Sequence, residues 1–147
     1  MTDQNIIIQQ TEKYAGLYGT LSPESLSELG DMLAEDVVFI DPFNRITGRK
    51  KMLDIFRTMF ATMVNPHFII LDTATSQTAG YIKWQMLGSL KSRPSFSVSL
   101  VGMSEVHFDE KGQISQHIDH WDSASQLLAK LPVVGAFIRW LLGKFSH

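Results

Sequence analysis

Cysteine is absent from the 147 residues, which excludes disulfides, thiol nucleophiles and thiolate metal sites. Charge is sparse too. Only 19% of the residues are charged and the formal net charge is -2, and no long run of Lys or Arg forms an electrostatic footprint for a polyanion, so nucleic acid is not expected as a partner. No glycine-rich phosphate loop follows a strand-like segment, so any activity is expected to need no cofactor. The first residues lack a basic stretch followed by an apolar core of signal-peptide type, which makes the cytoplasm the expected location. What is present, at 44% hydrophobic, is enough apolar material to bury a substantial core. Residues 1–147 are read as one domain.

The hydrophobic pattern changes period along the chain. Ile7, Thr11, Tyr14 and Tyr18 fall on one helical face over residues 3–18. Ser22-Pro23-Glu24 reads as a capped helix start, with Leu26, Leu29 and Leu33 as its inner face. A β-branched and aromatic run over 36–40 is stopped by Asp41-Pro42, because proline cannot donate to a ladder and restricts the residue before it. Residues 48–63 form the most strongly patterned helix, carrying Met52, Ile55, Phe56, Met59, Phe60 and Met63, with Asn65-Pro66 as its stop. From there the period is two. Segments 67–75, 80–90, 96–108 and 113–122 read as strands of an antiparallel meander, with a turn at 109–112 and a looser connection at 91–94. Helices followed by a curled antiparallel sheet describe an α+β domain with the helices on one face.

The tail, 123–147, adds an apolar helix too short to span a bilayer, which takes about 20 apolar residues. Leu131, Val134, Phe137, Ile138, Leu141 and Leu142 align on one face, with Trp140, Arg139 and Lys144 at the margins. Such a helix is expected to be buried against protein, as a lid or dimer contact. Peripheral contact with a membrane interface is the alternative.

Three polar groups stand in otherwise apolar segments: Tyr14, Asp41 and Asp119. A carboxylate among apolar side chains either finds hydrogen-bond donors or has its proton affinity raised, and both occur where protons are transferred. Strand alternation puts His117, Asp119 and Trp121 on one face and Ile118, His120 and Asp122 on the other. One ion therefore cannot easily recruit both His117 and His120, and no metal is expected. Asp122, just before Ser123, suits a helix cap. Asp41 has a structural alternative as a turn cap before Pro42.

Tyr14 on the first helix, Asp41-Pro42 after the first strand and Asp119-His120-Trp121-Asp122 closing the last strand resemble the nuclear-transport-factor-2-like superfamily, in its SnoaL-like and ketosteroid-isomerase-like branch. The resemblance implies a cone-shaped barrel around a deep apolar pocket, in a homodimer. It implies Asp41 as general base, Tyr14 as donor to an enolate oxygen, and Ser104 where those isomerases carry a second, acidic donor. A neutral hydroxyl is a poorer stabiliser of a developing oxyanion than the protonated acid of that isomerase family, one of the standard examples of carboxyl tuning. The last strand also resembles that of limonene-epoxide-hydrolase-like proteins. The positions nearest to their other polar residues are Lys83 and Gln85, and a neutral amide cannot serve as the base that activates water.

The expected function is binding of an apolar, carbonyl-bearing small molecule, with isomerisation or cyclisation by Asp41, Tyr14 and Asp119. His117, Trp121, Ser104, Phe56 and Phe60 would line the pocket, and methionines would give it an adaptable wall. The rival is a non-catalytic carrier or sensor of a hydrophobic ligand. A third class is an interaction module that uses the sheet's outer face and the tail.

Overall fold

The structure is a computed structural model that describes residues 3–91 and 96–146. Helix α1, Gln4–Gly19, opens with Asp3, whose side chain accepts from Asn5 N at 2.8 Å. Its buried stripe is Ile7, Thr11, Tyr14, Ala15 and Tyr18, the spacing of one face of a helix. A reciprocal pair of bonds between Ser22 and Ser25 closes a 3-10 turn over Pro23–Ser25, and α2, Leu26–Asp31, follows. Leu33, expected on that helix, instead opens strand β1, Leu33–Ile40. It is buried all the same, because the β-branched run behind it draws the chain into the sheet. A short strand β2, Arg45–Thr47, turns back on β1.

Helix α3, Arg49–Thr62, buries Met52, Leu53 and Phe56. Its first residue, Arg49, reaches back to donate to Leu33 O through Nε and Nη2 at 3.1 and 2.7 Å. The helix ends before Asn65-Pro66, which lie inside strand β3, Met63–Thr75. There Asn65 adopts a φ of 49° and the pairing shifts register between Val64 and His67. An edge strand tolerates this, since a proline N–H is not missed on an unpaired side and Asn enters the left-handed region more readily than most residues.

Strands β4, Ala79–Leu90, β5, Phe96–Phe108, and β6, Ile114–Trp121, complete a six-stranded sheet in the order β2-β1-β6-β5-β4-β3. The connection at 91–94 falls largely on residues outside those described. The sheet is curved, mixed and open at both edges rather than a fully antiparallel barrel, because β1 pairs with β6 in parallel. β3 runs opposite in sense to β1, and three antiparallel pairings leave β6 parallel to β1. α1 packs on β3 and β4, and α3 on β1 and β3, so both helices cover the concave face. Between them and the sheet lies the core, which includes Tyr14, Tyr18, Leu29, Leu33, Val37, Met52, Ile82 and Val106.

After β6, Asp122 caps α4, Ser123–Gln126, by accepting from Ser125 N at 3.0 Å. A 3-10 turn, Leu128–Lys130, leads to α5, Pro132–Phe145. Among the described residues this last helix is not buried against its own chain. Gly135 is its one buried residue, whereas Val133 and Phe145 are 85% and 76% exposed.

α1 lies on β4 at a place where only glycine fits. A Cβ on Gly80 would stand 2.0 Å from Thr11 Oγ1 and 2.8 Å from Thr11 Cγ2. Gly80→Ala is expected to lower stability by about 1–3 kcal/mol, as overpacking does. Adding Thr11→Ala should recover part of the loss, read as a shift of the urea midpoint; equal midpoints for Gly80→Ala and the unsubstituted chain would rule out the close contact.

Candidate functional site

Inward-facing positions of the sheet and the inner face of α3 enclose a cavity of ≈ 190 Å³. From the sheet come Phe39 on β1, Phe68 on β3, Trp84 and Met86 on β4, Leu100 on β5 and Trp121 on β6. From α3 come Ile55, Phe56 and Met59. Two carboxylates, Asp41 and Asp119, complete the wall. Gly102 is what lets the two tryptophans close on each other, since a Cβ there would meet Trp84 Cη2 at 2.7 Å and Trp121 Cβ at 2.8 Å.

Asp119 belongs to a chain of side-chain hydrogen bonds that runs from the cavity into the core. Ser104 Oγ donates to Asp119 Oδ1 at 2.6 Å and receives the Trp84 indole N–H at 2.9 Å. His117 Nε2 lies 2.7 Å from the same Oδ1, and His117 Nδ1 lies 2.9 Å from Tyr14 Oη. Both donors converge on Oδ1, so Oδ2 accepts no bond among the described residues. His117 is fully buried, edge-on to Tyr14 and stacked on Tyr18. Burial, with a smaller contribution from the charge on Asp119, pushes the Tyr14 phenol far above its usual range, which is already high enough for a phenol to be a donor at neutral pH. The neutral imidazole with its proton on Nε2 then satisfies every atom: Nδ1 accepts from the phenol and Nε2–H donates to the carboxylate. The Tyr18 hydroxyl, which burial also pushes well up, has no hydrogen-bond partner of normal geometry among the described residues.

Asp41 is held differently. Its Oδ1 accepts from Phe43 N, Asn44 N and Asn44 Nδ2 at 2.8, 2.6 and 3.1 Å, and its Oδ2 from Asn44 Nδ2 at 3.1 Å. It closes the loop at the cavity rim, where Phe43 meets Trp121 edge to face.

Of the residues singled out from the sequence, Asp41, Asp119, Trp121 and Phe56 reach the cavity wall. Tyr14, His117 and Ser104 stand behind it, and Phe60 is packed against the core beside it. Lys83 and Gln85 do not reach the cavity: they alternate outward on β4, where Gln85 Nε2 donates to Ser99 Oγ. Sequence reasoning missed Trp84, Phe39, Phe68, Met86 and Leu100. Strand parity held the signal, since Trp84 and Leu100 share a face with Ser104 through the pairs Ile82–Ser104 and Met86–Leu100. Among the described residues no group of three or more His, Cys, Asp or Glu is arranged to hold a metal ion.

On the outer face, Glu105 Oε2 meets His107 Nε2 at 2.6 Å and Oε1 meets His120 Nε2 at 3.0 Å. These bonds, that to His107 first, hold the Glu105 carboxyl below its usual range. A carboxyl depressed in the folded state adds stability above its ordinary pKa, and that share is lost as pH falls through the folded value. Glu105→Gln should therefore flatten the acid side of the stability–pH curve, from the ordinary glutamate pKa of about 4.3 downward. Urea titrations across that range check it, and an unchanged slope would contradict it. Inside, Tyr14→Phe should cost about 1–3 kcal/mol, because a buried acceptor on His117 loses its donor; a loss of only a few tenths in denaturant unfolding would show that the bond is not formed.

The sequence model of the SnoaL-like domain matches residues 15–117. No curated protein matches the chain. Many solved structures do. A protein of ketosteroid-isomerase-like fold from Catenulispora acidiphila, solved with trimethylamine, is 18% identical with a TM-score of 0.68, over 89% of this chain and 96% of that one. A protein assigned as a SnoaL-like polyketide cyclase from Shewanella putrefaciens is 15% identical with a TM-score of 0.65, over 80% and 96%. An epoxide hydrolase of Mycobacterium tuberculosis, similar to the limonene enzyme, is 15% identical with a TM-score of 0.66, over 96% of each chain. At these identities the likeness is one of fold.

Proposed function

The chain belongs to the SnoaL-like domain family, and on that premise we propose that it binds an apolar, carbonyl-bearing small molecule and isomerises or cyclises it by acid–base chemistry at Asp119. The observation that carries this reading is one carboxylate oxygen left free in an apolar cavity, with its twin fixed by His117 and Ser104. The fixed oxygen sets the direction of the free one, which is what a positioned base needs.

In the proposed step Asp119 Oδ2 takes a proton from the carbon next to the ligand's carbonyl. The C–H bond breaks, an O–H bond forms, and the electron pair passes into the enolate. The same oxygen returns the proton to another carbon, or the enolate carbon attacks a second carbonyl carbon of the ligand, whose C=O π bond breaks as the ring forms, and the proton on Asp119 passes to the new alkoxide. The Trp121 indole N–H, which makes no hydrogen bond among the described residues, is the donor the wall offers to the enolate oxygen. Tyr14, expected from the resemblance to make that contact, acts here through His117. Asp41, expected as the base, is assigned to the rim, because four hydrogen bonds from the Phe43–Asn44 segment occupy its carboxylate.

A second reading, a carrier of a hydrophobic ligand, draws on the same wall: one neutral donor is little stabilisation for an oxyanion compared with a pair of donors. Isotope exchange separates the two. Incubated in deuterated water with activated apolar ketones, the protein is expected to exchange α-protons, and Asp119→Asn to slow exchange by about 10²- to 10⁴-fold. Asp41→Asn should stay within about tenfold, since it removes no reacting group. Undiminished exchange in Asp119→Asn would exclude that residue as base. No exchange above the solvent rate, together with an apolar compound retained in native mass spectrometry, would establish the carrier. For the outer sheet face, where Ile69, Val101 and Met103 are exposed, the partner we assign is a second copy of the chain.

A further inference from the structure

α5 presents an unusual surface. Two contacts with the 3-10 turn before it fix its orientation. Gly135 approaches Ala129 so closely that a Cβ would stand 2.6 Å from Ala129 O, and the Arg139 guanidinium donates to the same oxygen. The side of the helix turned away from that anchor carries Val133, Phe137, Trp140 and Leu141, with Phe137 and Trp140 60% and 58% exposed and stacked on each other. Lys144 lies over the Trp140 ring at 5.2 Å. Side chains of this size are not left in water in such number without a surface to meet.

Charge identifies that surface. Of the chain's 15 acids none lies beyond Asp122, whereas Lys130, Arg139 and Lys144 do. The body of the protein is acidic and this end is purely cationic. A second copy of the helix is a poor occupant, because a two-fold contact sets a patch against itself and this patch has no acid to meet its lysines. Nor does the helix suit insertion across a bilayer. Fourteen residues extend about 21 Å, short of the about 30 Å hydrocarbon core. An aromatic pair and long aliphatic side chains, with Lys130 just before the helix and Lys144 in its last turn, match a helix lying flat at the boundary between headgroups and acyl chains.

We propose that α5 is a docking helix for an anionic phospholipid surface, with Phe137, Trp140 and Leu141 entering the interface and Lys130 and Lys144 meeting the headgroups. The inference is independent of any chemistry at Asp119. It is tested with the full chain and vesicles of phosphatidylcholine, alone or with about one quarter phosphatidylglycerol. The protein is expected to sediment with the anionic vesicles, with a blue shift of tryptophan emission, and to be released as salt is raised. Lys130→Gln and Lys144→Gln should each weaken partitioning about fivefold. Phe137→Glu, a change at an exposed site away from the sheet, should abolish it while the circular dichroism spectrum stays unchanged. No association with anionic vesicles, equal association with neutral ones, or unweakened binding of Phe137→Glu would each overturn the proposal. So would a Phe137→Glu variant that turns a dimer into a monomer while the unsubstituted chain ignores vesicles, which would assign the face to a second copy.

Discussion

His117 is the hinge of the architecture around the cavity. It is buried from all sides, yet both ring nitrogens are paired, one to the first helix and one to the last strand's own acid. A buried imidazole with either nitrogen unpaired would cost more than the bond it lost, so each partner is required by the other. The phenol, protonated at neutral pH as phenols are, donates to the ring. The carboxylate lines the cavity while one of its oxygens is held by His117 and Ser104. Remove the ring, and Tyr14 and Asp119 become unrelated polar groups on either side of a hydrophobic layer.

The cavity depends on that pairing and on a second constraint, the missing side chain of Gly102. Trp84 and Trp121 come from different strands and meet only across that glycine. One indole is turned by its bond to Ser104; the other lies against Phe43 at the rim. Ser104 thus fixes both the Trp84 indole and Asp119, so the hydrogen-bonded chain and the apolar wall form one unit.

Much of this was legible in the residues. The stripe Ile7, Thr11, Tyr14, Tyr18 appears as written, because helix periodicity is local. The two faces of β6 follow from alternation, and Asp122 caps its helix because short polar side chains at that position find free amides. The illegible parts are those that local rules do not reach. Leu33 has the period of a helix and the neighbours of a strand, and the neighbours win. Asn65-Pro66 looks like a stop until β3 proves to be an edge. The bond between Tyr14 and His117 joins residues 103 apart, and no periodicity announces such a pair. Asp41 illustrates the other difficulty. A motif identifies a carboxylate, but the three donors that occupy it come from the geometry of one short loop.

The parallel seam between β1 and β6 bears on how the molecule comes into being. β1 emerges early from the ribosome, but its neighbour on one side is the last strand made. Until that strand arrives, the β1–β2 ribbon keeps one open flank of unpaired amides and carbonyls, and the phenol of α1 has no imidazole to meet. Distant pairings of this kind slow folding, since the intervening chain must be brought back before any reward is collected. Nascent chains of this protein therefore pass through a long interval with a sticky, half-finished sheet, and closing that seam is the event that ends their exposure to aggregation.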